Sequence, residues 1–110
     1  MPKGDTLGEF EQIVLIALLR LDNEAYGMSV RREIQERTGR SVSIGAVYAT
    51  LERLEAKSYV SSFVGDATAE RGGRAKRFFR IESDGKRALK DSQDTLRKML
   101  AGLKVDWRTI

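Results

Sequence analysis

A change in hydrophobic periodicity divides this sequence and restricts the folds open to it. Residues 7–56 contain three segments in which apolar side chains recur at helical spacing. Two short segments follow, YVSSFV (59–64) and KRFFRI (76–81), both rich in β-branched and aromatic residues. The stretch between them is rich in glycine, alanine and charge, which predicts a hairpin with a long loop. Helical spacing then returns over residues 83–103.

The three N-terminal helical segments differ in how much of their surface is apolar. The first, LGEFEQIVLIALLRL (7–21), is apolar nearly all round and therefore has to be covered on more than one side. Gly39 is placed to end the second segment in a left-handed conformation. Ser43 is placed to cap the third, residues 43–56. A capped third helix followed by a hairpin predicts a mainly α fold with a β-hairpin, a winged helix-turn-helix with an additional C-terminal helix.

The C-terminal helical segment has an apolar seam that is too thin for a domain core. Leu89, Leu96 and Leu103 stand seven residues apart, a spacing that suits a helix pairing with another helix. We therefore expect residues 1–82 to form the winged helix-turn-helix and residues 83–110 to form a dimerisation helix with a tail, within one compact domain. The residues predicted at a dimer interface are Phe10, Val14, Leu89, Leu96, Met99, Leu100 and Leu103.

Positive charge is concentrated in the loop of the predicted hairpin. The net charge of the chain is +4, and residues 70–80 alone carry +4, against −2 for residues 1–69 and +2 for residues 81–110. Such a patch indicates a polyanionic partner, with nucleic acid ahead of an anionic membrane. A solvated basic loop without a partner is the alternative.

Double-stranded DNA requires side chains that reach base edges and cations that meet phosphates. The third helix supplies small and hydroxylated residues in its first turns, and the loop, which is the wing of the fold, supplies arginine, lysine and glycine. The predicted DNA-binding residues are Ser43, Gly45, Ala46, Tyr48, Thr50, Arg53, Arg71, Gly72, Gly73, Arg74, Lys76 and Arg77. Tyr48 can instead pack beside the hairpin, Arg53 can pair with acidic residues of its own helix, and the glycines can serve only to form the turn.

The composition excludes several kinds of site. The sequence contains no cysteine and no histidine, which removes disulfides, thiolate nucleophiles and the commonest metal ligand and general base. No carboxylate pair or phosphate-binding glycine loop stands out. We expect no catalytic site, no metal and no cofactor. No apolar run approaches the length of a membrane span, and no secretory signal is evident, so we expect a cytoplasmic protein without a membrane partner.

Three blocks of the sequence resemble the PadR family of bacterial transcriptional regulators. They are AYGMSVRREIQERTG, SIGAVYATLERLEAKSYV and ERGGRAKRFFRIESDGKRAL, and the resemblance extends from about Leu7 to Leu103. Within them, GAVYATLERLE and RGGRAKRFF are fairly specific to that family. A generic winged helix would share the order of elements but not both blocks.

The resemblance implies a homodimer, formed mainly through the C-terminal and N-terminal helices, that represses transcription from a palindromic operator. In some members a small molecule relieves repression, and short forms with one C-terminal helix can bind planar aromatic compounds at the dimer interface. The family's recognition tyrosine falls on Tyr48, and its YG pair falls on Tyr26 and Gly27. Ser58 departs from the usual glycine. Trp107 is a candidate effector-stacking residue, although packing or disorder near the C-terminus is the favoured alternative.

A winged-helix module that binds another protein and not DNA is the competing function. Such a module would have no operator, and its binding would be insensitive to Arg74→Ala.

Overall fold

The computed structural model describes residues 6–65 and 76–110, which form four α-helices and one two-stranded hairpin. The helices are α1 (Glu9–Leu21), α2 (Gly27–Thr38), α3 (Ile44–Ala56) and α4 (Ser83–Leu100), and the strands are β1 (Val60–Val64) and β2 (Arg77–Ile81). Short 3-10 turns occupy Asp22–Glu24 and Trp107–Thr109. The predicted fold class and order of elements are confirmed.

The ends of α2 and α3 follow from local backbone chemistry. Gly39 terminates α2 at φ 72°, a left-handed conformation that glycine adopts without a steric penalty. The hydroxyl of Ser43 accepts a hydrogen bond from the backbone N–H of Ala46 at 3.0 Å and so caps α3, as the sequence predicts. The short connection between Gly39 and Ser43 sets α3 directly after α2, which is the helix-turn-helix arrangement.

The core lies where α1, α2 and α3 meet the hairpin. Its fully buried side chains come from every helix and from both strands, so no element of the described chain folds separately from the others. Strand β2 contributes the largest of them, Phe79, which is 1 % exposed. The buried apolar residues are Leu7, Val14, Leu15, Ala17, Leu18, Ala25, Val30, Ile34, Val47, Leu51, Leu54, Tyr59, Val60, Phe79, Ala88 and Leu89.

Strand β2 pairs on both of its edges. It runs antiparallel to β1, with Val60 opposite Ile81 and Val64 opposite Arg77. On the other edge, the N–H of Phe79 donates to the carbonyl of Ala25 at 2.8 Å, and Tyr26 forms a bridge with Phe78. The hairpin is therefore fastened to the residues that immediately precede α2.

Only the first turns of α4 belong to the core. Gly85, Ala88 and Leu89 are buried there, whereas the second half of the helix is exposed along its length. The predicted helix over 83–103 is too long, because α4 ends at Leu100 and Gly102 takes a positive φ of 81°.

Two residues predicted at a dimer interface are buried within the protomer instead. Val14 is fully buried and Leu89 is 7 % exposed. Val14 faces the core because α1 has two apolar faces and this position falls on the inner one. Leu89 is buried because it lies in the part of α4 that packs on the core. Phe10 is half-buried, with the Arg40 guanidinium 5.7 Å from its ring centroid. The division of the chain at residue 82 stays a prediction.

Among residues 6–65 and 76–110, no helix is long and apolar enough to cross a membrane. The same residues include no cluster of three or more acidic side chains arranged to hold a metal ion.

Ser58, in the turn between α3 and β1, has a positive φ of 65°, as its departure from the usual glycine suggested. A non-glycine residue in this region is strained by about 1 kcal/mol. We expect Ser58→Gly to raise the free energy of unfolding by up to about 1 kcal/mol and the melting temperature by about 4 °C. The measurement is thermal and urea unfolding followed by circular dichroism.

Gly39→Ala is the matched control of opposite sign. An added Cβ at Gly39 would meet no atom within 4 Å, so its cost arises from φ alone. We expect a loss of about 1 kcal/mol. If Ser58→Gly were neutral while Gly39→Ala destabilised the protein, strain at Ser58 would be refuted.

Candidate nucleic-acid interface

The exposed side of α3 is formed by small residues in its first two turns. Ser43, Gly45, Ala46 and Ala49 are exposed there, whereas Val47 of the same turns is buried. We call Ser43, Gly45, Ala46, Tyr48 and Ala49 the recognition face. Because four of these five side chains are small, the α3 backbone can approach a flat or grooved partner closely.

Tyr48 is the large side chain of the recognition face. It is 38 % exposed, and its ring packs edge-on against Phe79 with centroids 6.5 Å apart. Its ring also lies over Gly27, the first residue of α2. Within the described residues its hydroxyl has no hydrogen-bond partner, so it is available to a ligand. The two alternatives for Tyr48 are therefore compatible, because the ring packs beside the hairpin while the side chain stays partly exposed.

Thr50 and Arg53, both predicted to contact DNA, do not lie on the recognition face. Thr50 is 2 % exposed, and its hydroxyl accepts a hydrogen bond from Arg53 at 3.2 Å. Arg53 reaches toward α1, where its Nε lies 3.7 Å from a carboxylate oxygen of Glu11. The assignment of Thr50 is corrected because the core-facing side of α3 includes it. Arg53 is exposed one turn beyond the recognition face, and its contact with DNA stays a prediction.

An aromatic stack joins the hairpin to the start of α2. Phe63 stacks on Phe78 with centroids 5.6 Å apart, and Phe78 meets Tyr26 edge-on, also at 5.6 Å. A cation covers each end. The Lys76 ammonium lies 3.4 Å from the centroid of Tyr26, and the Arg80 guanidinium lies 5.0 Å from that of Phe63. Such contacts hold a cation in place and leave its charge unneutralised.

The Lys76 charge also changes the chemistry of Tyr26. The pKa of Tyr26 is lowered chiefly by Lys76, which favours the phenolate as a hydrogen-bond donor and as a positive charge. Arg32 has a smaller effect of the same sign. Within the described part of the chain, neither Lys76 nor Arg32 forms an ion pair with a carboxylate. Tyr26, Arg32 and Lys76 therefore form a cationic cluster at the N-terminus of α2.

Sequence reasoning identified Lys76 but missed Arg32. The signal for Arg32 was only its position in the turn that follows Tyr26 and Gly27. Its proximity to the hairpin depends on how α2 packs.

Arg77 is held by two acidic residues of α3. Its guanidinium lies 2.9 Å from Glu52 and 2.5 Å from Glu55, and it also covers the ring of Phe79 at 4.8 Å. The two carboxylates raise the pKa of Arg77, because they favour its charged form. Arg77 thus fixes the base of the hairpin to α3 and offsets one of the two negative charges close to the recognition face. The predicted wing residues Arg71, Gly72, Gly73 and Arg74 lie outside the described residues.

A second exposed surface lies at the far end of α4. Leu96, Met99 and Leu100 lie on one side of the helix, and Leu103 follows its last turn. All four side chains are exposed, and Met99 is 75 % exposed. Trp107 is also exposed. We call this surface, formed by Leu96, Met99, Leu100 and Leu103, the distal α4 face.

A shallow groove of about 170 Å³ lies between α1 and α2, with Ile13, Ile16 and Ile34 in its wall and Arg20 and Arg37 among its polar residues. Ile13 and Ile16 are half-buried and pack against the edge of the core. Helix α1 therefore keeps partly exposed apolar surface at these positions and not at Val14.

Comparison with known proteins identifies the group to which this fold and these sites belong. The sequence model of the transcriptional regulator PadR-like family matches residues 15–91, which span α1 to α4. The chain belongs to the PadR-like family. A protein of Lysinibacillus sphaericus, described as uncharacterized, is 34 % identical over 94 residues, with 83 % of this chain and 82 % of that protein covered.

Solved structures confirm the fold of this PadR-like chain. A PadR family transcription regulator from Clostridium difficile matches with a TM-score of 0.66 at 23 % identity, over 82 % of this chain and 90 % of that one. The Aeropyrum pernix Orc1 protein, solved in complex with DNA, matches with a TM-score of 0.62 at 20 % identity. That match covers 84 % of this chain and 26 % of Orc1. The family model makes the chain a PadR-like transcriptional regulator, and the solved structures agree with its winged-helix fold.

The ion pair between Arg77 and Glu52 gives a prediction for this PadR-like regulator. Glu52→Gln removes a negative charge beside the recognition face and releases part of Arg77 for phosphate. We expect tighter binding to any duplex and a salt dependence of log K steeper by about 1. The measurement is fluorescence anisotropy with labelled duplexes over a range of salt concentrations.

Glu36→Gln is the control, because it makes the same charge change near the C-terminal end of α2. Weaker binding by Glu52→Gln would show that Arg77 acts by holding the hairpin and not by meeting phosphate.

Proposed function

We propose that this PadR-like regulator is a cytoplasmic homodimeric repressor that reads a palindromic operator with α3 and clamps the flanking backbone with its wing. The observation that carries the proposal is the recognition face. It combines small side chains, which permit close approach, with the unpartnered hydroxyl of Tyr48, and among the described residues it lies beside cations without acidic partners.

The recognition face suits the major groove of DNA. That groove admits an α-helix and displays donors and acceptors that distinguish the base pairs. Gly45, Ala46 and Ala49 let the helix enter, while Ser43 and Tyr48 supply hydroxyl groups for base edges or phosphates. The structural neighbour Orc1 of Aeropyrum pernix, which has a part of the same fold, was solved with DNA, and this supports the same use of the fold here.

Phosphate binding is proposed for the cations around the recognition face. Lys76 lies over Tyr26, the N-cap residue of α2, where helix polarity also favours an anion, and Arg32 reaches Tyr26 from the second turn of the helix. Arg71 and Arg74, with Gly72 and Gly73 beside them, are proposed to extend this positive surface from the wing. Arg77 is proposed to contribute once the phosphate backbone competes with Glu52 and Glu55 for its guanidinium.

Dimerisation is proposed through the distal α4 face. Leu96, Met99 and Leu100 on the projecting end of α4, and Leu103 just beyond it, expose apolar surface to water, and pairing with a second copy would bury that surface. Phe10, Ile13 and Ile16 of α1 are the proposed additional contacts. Two-fold symmetry then places the two recognition helices in half-sites about one helical turn of DNA, ~34 Å, apart.

A small aromatic molecule is proposed to modulate the dimer. An apolar surface shared between two distal α4 faces offers a place for a planar ligand, and Trp107 follows it in sequence and is exposed. Such a ligand changes DNA affinity only if it binds the DNA-competent and incompetent dimers differently.

The decisive experiment is selection of duplexes from random DNA by the wild-type protein, followed by binding to the enriched operator and to a scrambled duplex. We expect Tyr48→Ala to weaken operator binding about tenfold with little change on scrambled DNA, because it removes a specific contact. We expect Arg74→Ala to weaken both equally and to reduce the salt slope by about 1.

Failure to enrich any sequence, with binding insensitive to Arg74→Ala, would replace the repressor with a winged-helix module that binds another protein. Enrichment of a sequence without two-fold symmetry would contradict a symmetric dimer on DNA.

The dimer has its own test. Leu96→Glu places a charge in the distal α4 face, so we expect it to shift the protein from dimer to monomer and to weaken operator binding. The measurement is sedimentation velocity over a range of protein concentrations.

Thr95→Glu is the control, since it introduces the same charge at the adjacent exposed position. A Leu96→Glu protein that stayed dimeric would exclude the distal α4 face as the interface.

A further inference from the structure

The Tyr48 ring leaves no room for a side chain at the position of Gly27. It is buried and is the first residue of α2. A Cβ added there would lie 2.3 Å from Cζ and 2.5 Å from the hydroxyl oxygen of Tyr48. Gly27 does not have the positive φ that makes glycine necessary at Gly39. The backbone would accept another residue, and the three atoms nearest to the added Cβ all belong to the Tyr48 side chain.

The ring has only one direction in which it can move. On its inner side lies Phe79, which is 1 % exposed and meets Tyr48 edge-on. Phe79 is also fixed by its backbone hydrogen bond to Ala25. Carbon atoms in contact prefer a separation of about 3.5–4.0 Å, so a side chain at position 27 would displace the ring by more than about 1 Å. The displacement would be outward, toward the recognition face.

Gly45 gives an internal comparison, because its added Cβ would meet only the hydroxyl of Ser43, at 4.0 Å. That position faces open space, and its lack of a side chain suits a partner outside the protein. The lack of a side chain at Gly27 suits a neighbour inside the same chain.

We propose that Gly27 is a specificity-determining positioning residue, which sets the height of the Tyr48 hydroxyl above α3 by letting the ring lie against the start of α2. This inference rests on the proposed function, in which that hydroxyl contacts the operator. Hydrogen bonds to oxygen require donor–acceptor distances of about 2.5–3.0 Å and weaken steeply when misaligned. A shift of the ring by more than about 1 Å therefore removes the contact while the cations that meet phosphate stay in place.

The first test measures the position of Tyr48 without DNA. The protein contains three tyrosines, so fluorotyrosine labelling gives three fluorine resonances, and Tyr48→Phe identifies the one from Tyr48. We expect Gly27→Ala to shift that resonance strongly and Gly8→Ala to leave it unchanged. Gly8 is the matched control because its added Cβ would be 3.8 Å from its nearest contact, an ordinary separation.

The second test measures specificity with the enriched operator and a scrambled duplex. We expect Gly27→Ala to lower operator affinity about tenfold and scrambled-duplex affinity less than twofold, the pattern of a lost specific contact. The double variant Gly27→Ala/Tyr48→Ala should bind like Tyr48→Ala alone, because the ring that the added methyl group displaces is then absent. It should also melt no lower than Tyr48→Ala, which separates a clash with the ring from a general folding defect.

An unchanged Tyr48 resonance in Gly27→Ala would overturn the inference, and so would operator losses that add in the double variant. If Tyr48→Ala itself kept full operator affinity, the role of Tyr48 in the proposed function would fail, and the inference would fail with it. If Tyr48→Ala lost operator affinity and Gly27→Ala kept it, the inference would be overturned while the proposed function would stand.

Discussion

The arrangement of the DNA-binding surface depends on strand β2. Phe79 places its side chain in the core, gives its N–H to Ala25 before α2, and meets the edge of the Tyr48 ring on α3. On either side of it, Phe78 stacks toward Tyr26 and Arg77 binds acids of α3. One five-residue strand thus contacts β1, the start of α2 and helix α3, and fixes these three relative to one another.

Electrostatics at this surface depend on how the cations are paired. The acids of α3, Glu52 and Glu55, lie on the helix that is proposed to enter DNA, where free carboxylates would repel phosphate. Arg77 pairs with both from the hairpin and offsets one of the two negative charges. Lys76 is held by the Tyr26 ring, which positions a cation without cancelling its charge. The recognition face is therefore bordered by positive charge even though the acids are close to it.

The distal α4 face is apolar and not charged, and its apolar side chains are exposed to water. Leu96 and Met99 contribute nothing to the core of their own chain, and in the proposed dimer a second copy would cover them. In the proposed dimer, the distance between two recognition helices depends on how the two α4 helices cross. A ligand bound between them would change that distance, which is a direct physical route from effector to operator.

The sequence by itself determined the elements of this protein, because periodicity, the Ser43 cap and the glycine at position 39 act locally. It also predicted a basic wing, whose loop residues lie outside the described part of the chain, and a DNA contact by Tyr48, both of which stay predictions. Only the tertiary structure decided that Thr50 and Val14 are buried and that Arg53 pairs with Glu11. A helix with two apolar faces does not reveal which one its own core covers, and a long side chain selects its partner from another helix. The contact between Gly27 and Tyr48 could not be predicted from the sequence for the same reason, since it exists only where α2 and α3 pack together.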